Sequence, residues 1–148
     1  MENNKEYQKW LVVAKKGWNL ENVPEYLCTK EMCEVAIIQG LHLLKYVPEE
    51  FKTQELCELA VANEGYALEW VPEEFKTPEL CKIAMKDKGW VLEFVPETLK
   101  SPELCEIAVK SHGFALAYVP KELRTPELCE LAIKGVLGQG GNLKFVPY

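Results

Sequence analysis

Apolar residues recur along this chain in a single register with a period of 24. Residues 77–100 show the pattern best. A first group, Leu80, Cys81, Ile83, Ala84 and Met85, is interleaved with polar Glu79, Lys82 and Lys86. At 100° per residue this group covers about 200° of a helix surface and leaves a narrower polar stripe. A second group, Trp90, Leu92, Phe94 and Val95, follows Gly89. The pattern predicts an α-helix, a glycine corner and a short return segment. Val-Pro punctuates each copy at 23–24, 47–48, 71–72, 95–96 and 119–120, and again, three residues late, at 146–147. A fixed period of this size predicts stacked supersecondary units.

Local signals support each helix start. Thr77 suits the N-cap, Pro78 the first helical position, and Glu79 the positive end of the helix dipole. Ser101, Pro102 and Glu103 repeat the signal, as do Thr125, Pro126 and Glu127. Thr53, Gln54, Glu55 and Thr29, Lys30, Glu31 vary it. Gly17, Gly65, Gly89 and Gly113 are expected to end helices in the left-handed conformation. The second full repeat places Leu41 there and Gly40 one residue early, which predicts a shifted end. The residue before proline is pushed away from α geometry, so the return is one or two α or 3-10 turns closing at Val-Pro. A strand over 66–70 is the alternative, since those residues alternate. The fold expected is all-α: a right-handed or superhelical α-solenoid of six repeats of about 24 residues, forming one domain over 1–148. Gln8 and Lys9 stand where later copies carry Leu and Cys, as an end helix facing water requires.

Composition narrows the function classes. A hydrophobic content of 48% over 148 residues fits a folded chain. The net charge of -6, with both signs interleaved, argues against nucleic-acid or anionic-membrane binding. No apolar run reaches the length of a membrane span. Residues 1–6 do not resemble a secretory signal, which predicts a cytoplasmic protein.

Five of the six cysteines, Cys33, Cys57, Cys81, Cys105 and Cys129, hold one repeat position. Packed helices lie roughly 8–10 Å apart, and a disulfide needs Cα atoms within about 7 Å. The column therefore reads as buried thiols. Cys28 stands outside it as the odd thiol. Cys/His spacing for zinc is absent, so no metal and no cofactor are expected. His42 replaces an aromatic and reads as packing. His112 precedes Gly113 and suits a helix C-terminus. Gly138, Gln139, Gly140 and Gly141 lack the Lys-Ser/Thr of a phosphate loop. No catalytic residues are expected, and the chain reads as non-enzymatic.

The string Val-Pro-Glu-Glu-Phe-Lys-Thr-Pro-Glu-Leu-Cys at 71–81, followed by Ala84, Gly89 and Trp90, resembles a family of uncharacterised tandem repeats in bacterial and protist proteins. Its patterns are V-P-E-x-L-[KR]-T-x-E-[LM]-C and G-[WY]-x-L-x-[YF]-V-P. The resemblance covers nearly the whole chain. It implies an α-helical repeat of unknown function and brings no catalytic residues.

Two aromatic columns follow the repeat. Trp18, Tyr66, Trp90 and Phe114 are expected in the core. Tyr46, Trp70, Phe94, Tyr118 and Phe145 mix polar edges with rings, as interface residues do. Glu49, Glu73 and Glu97 form a carboxylate row beside Lys52, Lys76, Lys100 and Arg124. The partner-binding candidates are therefore Tyr46, Trp70, Phe94 and Tyr118, with Glu49, Glu73 and Glu97. Changing helix positions, Glu58, Lys82, Glu106 and Ala62, Lys86, Lys110, add an extended face. The leading expectation is a protein–protein interaction module. The alternatives are a small acidic inhibitor occluding a nucleic-acid enzyme, and a self-assembling repeat joined through its C-terminal edge.

Overall fold

A computed structural model describes residues 2–16, 20–39, 43–86 and 88–138. The chain divides into two compact units, Met1–Phe75 and Lys76–Tyr148. The first holds α1 (Glu2–Lys15), α2 (Lys30–Gln39) and α3 (Gln54–Asn63); the second holds α4 (Pro78–Met85), α5 (Pro102–Ser111) and α6 (Pro126–Gly138). The return segments are 3-10 turns, as at Gly65–Trp70, Gly89–Phe94 and Gly113–Tyr118. Among the described residues a second short 3-10 turn follows Val-Pro, as at Glu73–Phe75, Glu97–Leu99 and Lys121–Leu123. No strand occurs among the described residues. The fold is all-α, and within each unit successive repeats stack as in a solenoid, helix on helix and return on return. In the first unit α1 packs on α2 and α2 on α3; in the second α4 packs on α5 and α5 on α6.

The helix starts follow the local chemistry. The Thr77 hydroxyl accepts from the Leu80 amide at 3.2 Å, and Ser101 and Thr125 accept from Leu104 and Leu128 at the same distance. Thr29 and Thr53 do so at 3.3 Å from Met32 and Leu56. Each such cap contributes about 1 kcal/mol. The core repeats with the same step. Leu80, Cys81, Ala84 and Met85 are buried, as are Leu104, Cys105, Ala108 and Val109 one repeat on. Leu68, Leu92 and Leu116 of the returns close the core from the other side.

Three expectations change. Ile83 lies outside the buried arc, being 51% exposed. The four remaining positions subtend only about 140°. Phe114, expected in the core, is 38% exposed, and Tyr66 and Trp90 are half-buried. Gly89 and Gly113 do not take the left-handed conformation. The residues just before these glycines, Lys88 (φ −141, ψ 75) and His112 (φ −144, ψ 112), leave helical geometry, and each glycine opens the next 3-10 turn. Glycine is needed there for room. A Cβ on Gly89 would lie 2.0 Å from the carbonyl oxygen of Ala108, and one on Gly113 would lie 2.3 Å from that of Ala132.

Gln8 and Lys9 are exposed, in keeping with an end helix. The core expectation for Trp18, the packing role of His42, the shifted end at Gly40 and Leu41, and Phe145 with the final Val-Pro lie outside the described residues.

Candidate functional site

The returns carry the aromatic and carboxylate rows. Tyr46, Trp70, Phe94 and Tyr118 are all half-buried. Trp70 meets Tyr66 edge-on, ring centroids 5.0 Å apart and planes at 72°. Phe94 meets Trp90 in the same way at 6.3 Å and 76°. These pairings follow from the i, i+4 spacing across a short helical return, and edge-to-face geometry suits the ring quadrupoles. The Lys45 ammonium lies 5.5 Å from the Tyr46 ring centre. Burial, and then the charge and hydrogen bond of Glu93, push the Tyr118 hydroxyl above its ordinary value. The aromatic row therefore braces the returns while leaving ring edges at the surface.

The glutamates have partners within their own turns. Glu49 accepts from Lys52 Nζ at 2.6 Å, and Glu97 from Lys100 Nζ at 2.5 Å. The two lysine side chains are 5% exposed, whereas the glutamates are 77% and 73% exposed. Glu73 is exposed on the equivalent turn. In the second unit the lysines also reach across repeats: Lys76 Nζ donates to the Phe94 carbonyl and Lys100 Nζ to that of Tyr118, both at 3.0 Å. Arg124 instead bonds carbonyls nearer in sequence, those of Val119 and Ala117. Long side chains with buried stems and bonded heads suit this position. The carboxylate row thus faces water, with Glu49 and Glu97 already engaged by cations.

The helices of each unit carry a second arrangement. Between α2 and α3 runs a groove of about 370 Å³ lined by Lys30, Glu34, Ile38, Thr53, Glu55, Leu56 and Leu59. Between α5 and α6 runs another of about 350 Å³, lined by Pro102, Glu106, Lys110, Thr125, Glu127, Leu128 and Leu131, together with Leu123. The first seven residues of the second set are the counterparts, three repeats on, of the first. Apolar side chains reach water on this surface: Ile38 is 59% exposed, Ile83 51% and Leu59 36%. Glu31 and Glu55 of the first unit, and Glu79, Glu103 and Glu127 of the second, are exposed on the first turns of their helices. Glu55 is held below the ordinary carboxylate range by its own backbone amide and then by the Thr53 hydroxyl. Lys82 and Glu103 pair across α4 and α5 at 2.8 Å, and Glu103 raises the Lys82 ammonium above its ordinary value.

Sequence reasoning assigned Ile83 to the core and so missed the apolar part of this surface. The signal was present as an apolar residue at the sixth position of each helix from α2 to α6, Val35, Leu59, Ile83, Ile107 and Leu131. Periodicity alone does not say how wide a buried arc is.

His112 is half-buried and serves a structural end. Its Nδ1 lies 3.2 Å from the Gly89 amide, which it accepts, and 3.0 Å from Ser111 Oγ. Among the described residues no three His, Cys, Asp or Glu side chains converge as metal ligands would. No helix there is long and apolar enough to cross a membrane.

A family model described as a domain of unknown function (DUF4116) matches residues 53–100 and, one repeat further on, 77–124. The two matches overlap and share the 24-residue step of the chain. No curated protein matches, and no solved structure matches.

Proposed function

We propose that this chain is a non-enzymatic, cytoplasmic protein-binding module. In this reading each unit takes a partner segment along the groove between its α-helices. The observation that carries it is the recurrence of one groove, at matched positions, in both units. The same Glu, Thr and Leu positions recur three repeats away, so the two grooves offer a partner one repeated chemistry. The apolar floor, Leu56 with Leu59 and Leu128 with Leu131, suits apolar side chains. The glutamates around it, with the net charge of -6, suit Lys or Arg beside them, and such complementarity favours encounter and register. The half-buried rings of Tyr46, Trp70, Phe94 and Tyr118 then brace the scaffold.

The test is selection of displayed random peptides on the immobilised chain. The expected result is a set in which apolar residues are flanked by Lys or Arg. Binding should be lost in a Leu59→Glu, Leu131→Glu double variant whose helical circular dichroism is unchanged. Peptides that bind this variant as well as the parent overturn the helix-surface reading. Peptides that instead lose binding on Glu49→Lys, Glu73→Lys and Glu97→Lys place the contact on the returns. Recovery of the chain only as concentration-dependent oligomers makes self-assembly the function.

A further inference from the structure

Position 28 departs from its column. The later repeats carry Lys52, Lys76, Lys100 and Arg124 there, and the first carries Cys28. Where the column holds lysine, the long side chain fills space at the surface of its repeat: those of Lys52 and Lys100 are 5% exposed. A cysteine is too short to do so. Beside Cys28 lies a cavity of about 400 Å³, open to solvent and lined by apolar Leu20, Val23 and Tyr46 together with charged Glu21, Lys45 and Glu49.

The substitution also changes what the neighbouring thiol meets. Cys57 and Cys105 feel the ammonium of Lys52 and Lys100 in their own repeats. Cys33, at the same column position, meets Cys28 instead, with the two Sγ atoms 3.4 Å apart. Cys33 is wholly buried, whereas Cys28 is half-buried and lines the cavity. Both are free thiols.

We propose that Cys28 and Cys33 form a reversible dithiol–disulfide site, oxidised by a small peroxide that enters through the cavity on the Cys28 side. Cys28 is the attacking sulfur. It is the accessible one, half-buried and lining the cavity, whereas Cys33 is wholly buried. The Cys28 Sγ attacks one peroxide oxygen and the O–O bond breaks. Cys28 becomes a sulfenic acid, and the other oxygen leaves as hydroxide, which takes the Cys28 proton and becomes water. The Cys33 sulfur then attacks the Cys28 sulfur: the S–S bond forms, the S–O bond breaks, and the departing hydroxide takes the Cys33 proton as water. In sum two thiols and one hydrogen peroxide give one disulfide and two waters, the thiols supplying two electrons. An external dithiol reverses the reaction by exchange. Cys33 suits the second role. Burial, and then the hydrogen bond with Cys28, push its thiol up to about 12, which disfavours direct reaction of Cys33 with peroxide, while its sulfur lies 3.4 Å from that of Cys28. Closure from 3.4 Å to a bond of about 2 Å falls on the short link between the turn Glu25–Leu27 and α2.

The experiment treats the full chain with a few equivalents of hydrogen peroxide, alkylates remaining thiols in denaturant, and maps them by peptide mass. The expected product has Cys28 and Cys33 linked, two hydrogens lighter, with the other four cysteines alkylated and the change reversed by a dithiol reductant. Cys33→Ala should stop at a sulfenic acid on Cys28. Cys28→Lys restores the column residue and should leave Cys33 alkylatable. Both variants are checked by helical circular dichroism. Sulfinic acid on Cys28 with Cys33 still alkylatable in the parent chain overturns the proposal, as does a link between two chains. If Cys33→Ala fails to fold, Cys28→Lys alone decides: any oxidation of Cys33 in that variant overturns the proposal as well.

Discussion

Gly89 lies against the main chain of Ala108, so close that a Cβ would sit 2.0 Å from its carbonyl oxygen. The Gly89 amide donates to Ser111 Oγ and His112 Nδ1, each at 3.2 Å, so the contact is fixed from two directions. Gly89→Ala must push apart α5 and the return that carries Gly89. The expected cost is about 2–3 kcal/mol, read as a fall in the urea midpoint. Gly135→Ala is the control. Its Cβ would lie 3.3 Å from the nearest atom, the Gly113 amide. The tight fit and a helix-propensity gain of about 1 kcal/mol should nearly cancel. An equal loss at both sites would mean that close approach is not what Gly89 provides.

Lys100 joins Glu97 to the Tyr118 carbonyl with a side chain that is 5% exposed. Lys100→Met keeps the stem and removes the donor, leaving that carbonyl short of a partner. It should cost about 1–3 kcal/mol. Glu97→Gln, at an exposed carboxylate, should cost under about 1 kcal/mol. Thermal denaturation of both variants tests the order; a larger loss from Glu97→Gln would show that the salt bridge, not the bridge to the backbone, holds the turn.

What was legible in the sequence is what short stretches determine. Thr77 and Pro78 set a helix start through atoms within three residues of each other, and every such start is found. Ile83 and Gly89 were misread because their roles depend on neighbours about one repeat away. A 3.6-residue period orders a helix surface but does not say where the next helix stops covering it. A glycine after a helix fits a left-handed turn and a crowded crossing equally well until Ala108 is placed. Cys28 could be picked out as odd, but its meeting with Cys33 depends on how the link after Leu27 bends. The partner-binding candidates mixed two signals. The rings of Trp70 and Phe94, named for a partner surface, are half-buried in the structure, while the helix-side apolar residues were hidden by assignment to the core.

The two surfaces respond differently to substitution. Leu59→Glu and Ile83→Glu alter exposed positions and should change stability by no more than about 0.5 kcal/mol, while weakening peptide binding in the proposed reading. Trp70→Ala removes the edge contact with Tyr66 and should cost about 1–3 kcal/mol without abolishing binding. Parallel urea melts and peptide titrations separate the two. Binding lost with Trp70→Ala and kept with Leu59→Glu would move the interface to the returns.

Buried thiols predict an alkaline limit. Burial pushes Cys57 up to about 11 and Cys33 to about 12 from the ordinary 9.0, and raises Cys105. Above about pH 9 the unfolded chain loses these protons and the folded chain keeps them. Stability is therefore complete below pH 9 and falls as pH rises toward 11, by at most about 1.4 kcal/mol per pH unit for each thiol. Urea midpoints between pH 8 and 10.5 should show the decline. Cys57→Ala should lower stability at pH 7 yet make the decline shallower. An unchanged slope would assign the alkaline loss to other groups.

The lysine joints of the second unit end on main-chain oxygens, those of Phe94 and Tyr118, and the glycine crossings end on those of Ala108 and Ala132. These main-chain oxygens do not depend on which side chain their residue carries, although the Gly89 amide also uses the side chains of Ser111 and His112. Copies of the repeat are therefore interchangeable as neighbours. A duplication of residues 77–100 would bring its own joint and accept the old one without a compensating change. Such a chain is free to grow in steps of one repeat, each step extending the outer helix surface in register, while the residues that vary on that surface change independently of the scaffold.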